Sequence, residues 1–184
     1  MTVAALVLLS GGIDSAATLA MYRRRSASVS ALFVDYGQAS ASLERAASAR
    51  VAQHYAASLA EVRCAGLGTF AGGYVRGRNA LLLHVALTVA PFEEGQVAIG
   101  IHAGTPHVDC SPRFVDDMQR SFDLYCNGRV RVVAPFVDHD KRAVIAFCRE
   151  NDVPIALTYS CQLGVDPPCR SCMSCLDRRA LDVE

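Results

Sequence analysis

Two groups of residues in this 184-residue chain combine types and spacings that could do chemistry. The first is Ser10-Gly11-Gly12-Ile13-Asp14-Ser15, which follows the apolar run Val3 to Leu9 and precedes a helical pattern. Glycines at such a place let the backbone approach an anion, and the free N–H groups of the helix start donate to it. The hydroxyls of Ser10 and Ser15 add donors, and Asp14 is placed to hold Mg2+ against phosphates. A tight strand-to-helix turn is the plainer reading of Gly-Gly alone. The string is neither the Gly-Lys-Ser/Thr loop of a Walker motif nor a dinucleotide GxGxxG.

The second group is Cys161, Cys169, Cys172 and Cys175, four thiols within fifteen residues. Zn2+ prefers four soft ligands in a tetrahedron, and a site with all four positions filled is structural. An iron–sulfur cluster or two disulfides are the alternatives. The other cysteines, Cys64, Cys110, Cys126 and Cys148, are scattered through apolar segments with no CxxC spacing. That distribution favours a metal site and buried thiols in a reducing compartment. A third feature is compositional: of 18 basic residues only Lys141 is a lysine. The arginine excess reads as a base-composition effect, yet it leaves any step that needs an ammonium a single candidate.

Elements must position these groups. Apolar runs at 3–9, 29–34, 59–63, 96–102 and 129–134 read as strands, and helical spacing lies at 14–25, 40–58, 79–92, 113–126 and 138–150. Asp14 or Ser15 stands as N-cap of the first helix. Alternation of this kind implies an α/β fold, an open, mostly parallel sheet with helices on both faces. No linker or repeat divides residues 1–184, so a single domain is expected, with 158–179 as an integral metal-binding tail too short to fold alone. Formal net charge of +0 argues against broad capture of nucleic acid or acidic membrane. No run approaches the ~20 apolar residues of a span, and the N-terminal stretch lacks the basic start of a secretory signal. A cytoplasmic protein is expected.

The string SGGxDS after an apolar strand resembles the pyrophosphate loop of the PP-loop ATP pyrophosphatases, a Rossmann-like superfamily of adenine-nucleotide α-hydrolase type. Longer strings narrow this: SGGIDS at 10–15, ALFVDYGQ at 31–38, GRN at 77–79, DCSPRF at 109–114, DHDKRAVI at 138–145 and TYSCQLGVDPPCRSCMSCLDRR at 158–179. Together they are similar to the QueC family of 7-cyano-7-deazaguanine synthases. The resemblance implies an ATP-dependent ligase of queuosine biosynthesis, often a homodimer, containing Zn2+. Such an enzyme converts 7-carboxy-7-deazaguanine, ammonia and ATP to the nitrile through adenylated intermediates.

Carried over by position, the resemblance implies that Ser10, Gly11, Gly12, Asp14 and Ser15 bind the ATP phosphates. Tyr36, Gly37 and Gln38 would lie near the nucleotide, Arg78 and Asn79 would face the reacting groups, and Lys141 would bring charge to the same cleft. Asp109 falls in the loop expected to receive the deazaguanine, and Cys161, Cys169, Cys172 and Cys175 would be the zinc ligands. Simpler roles stay open: Arg78-Asn79 as a helix cap, Asp109 as a cap partner for the helix at 113, and Lys141 as a solvated first-turn residue. His54, His84, His102, His107 and His139 read as structural or solvent-exposed.

The chain departs from the family pattern where an acceptor would be chosen. The segment between Cys64 and Gly77 is short, and HAGTPHV replaces the usual Asp-Tyr-Ser-Gly-Tyr-Pro stretch before Asp109. Trimming there changes substrate more easily than fold. Three other functions are therefore weighed beside nitrile synthesis. One is amide formation, including conjugation to an amine on a protein acceptor. Another is a non-catalytic nucleotide-sensing subunit. The third is sulfur insertion, which needs a catalytic cysteine pair or a cluster and which the lack of CxxC spacing among Cys64, Cys110, Cys126 and Cys148 argues against.

Overall fold

The computed structural model describes residues 3–25 and 28–183. Five strands, β1 (Ala5–Leu8), β2 (Val29–Asp35), β3 (Ser58–Arg63), β4 (Gly95–Ala98) and β5 (Val130–Val133), form one sheet in the order β3-β2-β1-β4-β5. Every pairing is parallel. The connecting helices are α1 (Ile13–Arg25), α2 (Ala41–His54), α3 (Arg78–Val89), α4 (Pro112–Cys126) and α5 (Lys141–Glu150), and α6 (Met173–Ala180) closes the chain. The open parallel α/β sheet expected from the alternation is the fold found.

The period of the strands builds the layers. Ala5, Val7 and Leu9 pack with α1, Val51 and Ala52 of α2, and Val144, Ile145 and Cys148 of α5. The alternate residues Leu6 and Leu8 pack instead with Leu83 and Ala86 of α3 and Phe122 of α4. A strand buried on both faces has no polar alternation, which is why β1 reads as an unbroken apolar run. Among the described residues no helix is long and apolar enough to cross a membrane.

Several expected boundaries move, each for a local reason. The first helix starts at Ile13, so Asp14 and Ser15 sit inside its first turn and do not cap it. The second helix stops at His54 and not at 58. Its end is a Schellman-type closure, with Ala57 N–H donating to Ala52 and Ala56 N–H to Gln53. Ala56 holds the left-handed position (φ 48°) that glycine usually fills, so no stop signal shows in the sequence. The fourth strand ends at Ala98, and the chain to His102 runs on beyond the sheet. The fifth helix begins at Lys141, capped by Asp140 accepting from Ala143 N at 2.8 Å. Helix α6 and the short turn Ile155–Leu157 were not expected.

The turn from β1 into α1 depends on one missing side chain. Gly11 has φ +76°, and a Cβ there would lie 2.6 Å from the Glu44 carbonyl oxygen and 2.8 Å from both Ala47 Cβ and Ser48 N. Those neighbours are mostly helix backbone and cannot step aside. Ser48 Oγ also donates to the Leu9 carbonyl at 2.8 Å, tying α2 to the end of β1. Gly11→Ala therefore combines a left-handed residue with overpacking, and should lower unfolding free energy by about 3 kcal/mol. Urea unfolding measures this, with an unchanged slope expected.

Candidate functional site

In an open parallel sheet, ligands meet the crevice beyond the carboxyl ends of the strands where the order reverses. Here that place lies between β1 and β4. The residues of the glycine-serine loop gather there as a group. Ser10 Oγ lies 3.2 Å from Ser15 Oγ, Ser15 Oγ donates to the Gly12 carbonyl at 2.9 Å, and Ala16 N–H donates to the same carbonyl at 3.0 Å. The first-turn N–H groups of α1 have no partner within the helix and face the same side.

Lys141 and Asp14 meet across this crevice from two different helix starts. Lys141 Nζ stands 2.6 Å from both Asp14 oxygens, and each side chain keeps 24% of its surface exposed. The solvated first-turn role is thereby set aside for Lys141, which is drawn into the crevice. Asp14, Ser10 and Ser15 present hard oxygen donors of the kind Mg2+ takes. His102, read from the sequence as structural or exposed, stands with them: its Nε2 is 3.9 Å from Asp14 Oδ2. A signal for it existed, because it lies just past the carboxyl end of β4, where sheet geometry collects functional groups.

A second network lies beside the loop. Arg78 Nε and Nη2 donate to Asn79 Oδ1 at 3.2 and 3.1 Å, and Asn79 Nδ2 donates to the Asp109 carbonyl at 3.1 Å. Neither residue caps α3, whose N-cap Gly77 has no side-chain bond, and Ser111 rather than Asp109 caps α4. Asn79 is 2% and Asp109 7% exposed, and the Asp109 carboxylate makes no hydrogen bond to any described residue. Burial pushes the Cys110 thiol up, and the nearby charges of Asp109, Arg78 and Asp14 act on it as well. Burial likewise raises the Tyr36 phenol, while the Arg78 guanidinium pulls it partly back.

Tyr36, Gly37 and Gln38 form a strand-end turn. Gln38 uses its whole amide: Nε2 donates to the Val34 carbonyl at 3.2 Å and Glu44 at 3.0 Å, and Oε1 accepts from Tyr36 N at 2.9 Å. Its role in the geometry is to hold the turn. Gly37 (φ +92°) is crossed so closely by the 65–77 loop that a Cβ would lie 2.2 Å from the Gly68 carbonyl. Phe70 pairs with Gly37 and Ala39 through backbone bonds of 2.8 Å. Farther along, Tyr74 stacks on His107 with centroids 4.9 Å apart and planes 17° from parallel. That contact joins the two segments that depart most from the family pattern.

The four C-terminal cysteines converge as their spacing suggests. Their Sγ atoms all lie within 4.8 Å of one another, with Cys169 and Cys175 at 3.9 Å. Thiolates bound to one tetrahedral Zn2+ stand ~3.8 Å apart, given Zn–S bonds of about 2.3 Å. A cubane cluster spreads its thiolates farther, because each holds a different iron. All four are free thiols, so the disulfide alternative is not what the structure has. Backbone N–H groups of Gln162, Cys169 and Cys172 point at sulfur. Hydrogen bonds from Ser171 hold Cys169 down at about 5, while burial pushes Cys175 up to about 12. Binding a cation then expels the proton that Cys175 retains.

This knuckle is bonded to the phosphate-type loop, a link the sequence does not reveal. Tyr159 N–H donates to the Gly11 carbonyl at 2.9 Å. Arg178 of α6 reaches back to Thr158 Oγ1 at 2.8 Å and Ser160 Oγ at 3.3 Å. Gly164 (φ +65°) sits against the Ala39 carbonyl, where a Cβ would come within 2.2 Å.

The family model described as "Queuosine biosynthesis protein QueC" matches residues 4–73 and 68–181. A 7-cyano-7-deazaguanine synthase of Aquifex aeolicus is 30% identical over 203 residues, covering 94% of this chain and 93% of the relative. The synthase of Synechococcus sp. strain RCC307 is 31% identical over 206 residues, covering 95% and 92%. Among solved structures, the U34-tRNA thiolase NcsA from Methanococcus maripaludis, with its [4Fe-4S] cluster, superposes with TM-score 0.57 at 15% identity. The match takes in 99% of this chain and 65% of the thiolase, and it speaks for the fold alone.

Stripping the cysteine cluster of metal should therefore act locally. Far-UV circular dichroism is expected to change little, because the sheet has its own core. Four additional thiols should react with a thiol reagent, and residues beyond Tyr159 should become open to protease. Lowering the pH should promote metal release, since protons compete with the cation for thiolate.

Proposed function

The chain belongs to the QueC family, and from that premise we propose that it is an ATP-dependent carbon–nitrogen ligase making 7-cyano-7-deazaguanine from 7-carboxy-7-deazaguanine and ammonia. The observation that carries this reading is the Asp109 carboxylate, which has no hydrogen bond among the described residues and lies beside the Arg78–Asn79 pair, whose Asn79 amide holds its backbone carbonyl at 3.1 Å. The 2-amino-4-oxo edge of a deazaguanine offers two N–H donors and would supply the missing bonds. Its carboxyl group would then point toward Arg78 and the serine loop.

In the first stage, a substrate carboxylate oxygen attacks the α-phosphorus of ATP, and the bond to pyrophosphate breaks. Ser10, Ser15 and the first-turn N–H groups of α1 would hold the phosphate oxygens. Lys141, oriented by Asp14, would donate to the charge that develops on the leaving group. Mg2+ arriving with the triphosphate would be held by Asp14 and would neutralise phosphate charge. Ammonia then displaces AMP to give the amide, and a second activation of the amide oxygen leads to the nitrile. Gln38 would serve by fixing the Tyr36 turn near the nucleotide.

We assign Zn2+ to the four cysteines, where it would have no open position for substrate and would keep Tyr159 docked on Gly11. The whole chain acts as one unit in this reading, with residues 158–179 part of it.

The test is the product formed from ATP, carboxydeazaguanine and ammonia, followed by mass spectrometry. Nitrile, with AMP and pyrophosphate, is expected; amide as the end product would overturn the second stage, and turnover with neither would overturn the acceptor. Lys141→Ala should lower kcat/KM for ATP by about 100-fold. A nucleotide sensor with no chemistry would keep its function in that variant. Asp109→Asn should raise KM for the deazaguanine at least tenfold while leaving KM for ATP within about twofold.

A further inference from the structure

We propose that His102 is a catalytic base that takes the proton from the attacking nitrogen, a role that rests on the ligase reading above. Its setting differs from that of a structural histidine in the same protein. His84 is bonded at both ring nitrogens, Nδ1 to the Ala80 carbonyl at 2.8 Å and Nε2 to Ser121 Oγ at 2.9 Å. Among the described residues His102 is bonded at one only: Nδ1 lies 2.5 Å from the Ala103 carbonyl. A carbonyl oxygen can only accept, so Nδ1 carries the proton and Nε2 is the basic nitrogen. That nitrogen faces Asp14 Oδ2 at 3.9 Å, too far for a hydrogen bond, with the ring 15% exposed to the crevice.

The surrounding backbone holds this arrangement. Gly100 lets the chain after β4 press on the start of α1, since a Cβ there would lie 2.7 Å from the Asp14 carbonyl oxygen. Ala103 N–H donates to the His139 carbonyl at 2.7 Å, bracing the residue whose carbonyl fixes the ring. Asp14, bound through both oxygens to Lys141 at 2.6 Å, is held in place as the partner of any imidazolium that forms. A histidine oriented by a backbone acceptor, with its free nitrogen beside a carboxylate that favours the protonated ring, is an arrangement suited to proton transfer.

The step balances as follows. The nitrogen lone pair of ammonia forms the new C–N bond at the acyl-adenylate carbon, and the carbonyl electrons move to oxygen. The positively charged nitrogen of the adduct gives one proton to His102 Nε2. The carbonyl re-forms, the C–O bond to AMP breaks, and AMP leaves with that electron pair. Asp14 stabilises the imidazolium until its proton passes to solvent through the exposed edge of the ring.

The experiment uses the full-length, metal-loaded protein and His102→Asn, which keeps a donor toward the Ala103 carbonyl but has no basic nitrogen; His102→Gln serves as a second variant. Three rates are read: carboxylate-dependent exchange of pyrophosphate into ATP, amide or nitrile from ammonia, and hydroxamate from hydroxylamine. Hydroxylamine is largely unprotonated at neutral pH and attacks adenylates with little help from a base. The ammonia product should fall about 100-fold, with exchange and hydroxamate falling less than about threefold. Imidazole should restore part of the ammonia reaction in His102→Ala. If all three rates fall together, or the ammonia product does not fall, the base role is overturned. A wild-type protein that shows no exchange overturns the ligase reading, and the role of His102 with it.

Discussion

The carboxyl edge of the sheet is organised by the space that Gly11 leaves empty. With no Cβ, the turn after β1 packs directly on the backbone of α2 near Glu44 and Ser48. The loop is thereby turned so that Ser10, Asp14 and Ser15 face the crevice while the Gly11 carbonyl faces the tail. Tyr159 takes that carbonyl, so the cysteine knuckle and the phosphate-type loop share one peptide. Gly100 performs the same service from the other side, admitting the segment that carries His102. Two glycines, flanking the point where strand order reverses, allow three separate chain segments to converge.

Charge in this crevice is arranged sparingly. Lys141 is held by Asp14, and Arg78 is held by the neutral amide of Asn79 and not by a carboxylate. A guanidinium oriented by an amide keeps its full charge for a ligand, whereas one locked to an acid would already be neutralised. Asp109 is the converse, an acid that no hydrogen bond from the described residues holds. Elsewhere the arginines do ordinary structural work, as Arg45 does between Asp35 and Glu61 along the sheet edge. In the proposed ligase reaction the compact, strongly hydrated ammonium of Lys141 would meet developing phosphate charge, a setting that distinguishes lysine from arginine.

The segments that depart from the family pattern turn out to be joined. The 65–77 loop is bonded to the Gly37 turn through Phe70, touches the cysteine tail near Gln162 through Gly72, and meets the 102–109 loop through the Tyr74–His107 stack. A short loop with that many anchors is fixed against its neighbours and not a free flap.

The layered parallel sheet, the serine-glycine loop and the metal-type cysteine spacing were legible in the sequence because each is local: a strand buried on both faces must be apolar throughout, a close anion turn needs glycine, and four thiols in fifteen residues have few ways to be used. Element ends were less legible where the usual marker is missing, as at Ala56, which closes α2 in a conformation glycine normally takes. Tertiary structure alone decided which distant residues meet. Asp14 and Lys141 are 127 positions apart, Asn79 and Asp109 thirty, and Tyr159 finds Gly11 from the far end of the chain. His102 looked like any of five histidines until the strand order set it beside Asp14. Residue type and local spacing specify what a group can do; only the packing of helices across the sheet brings such groups within bonding distance.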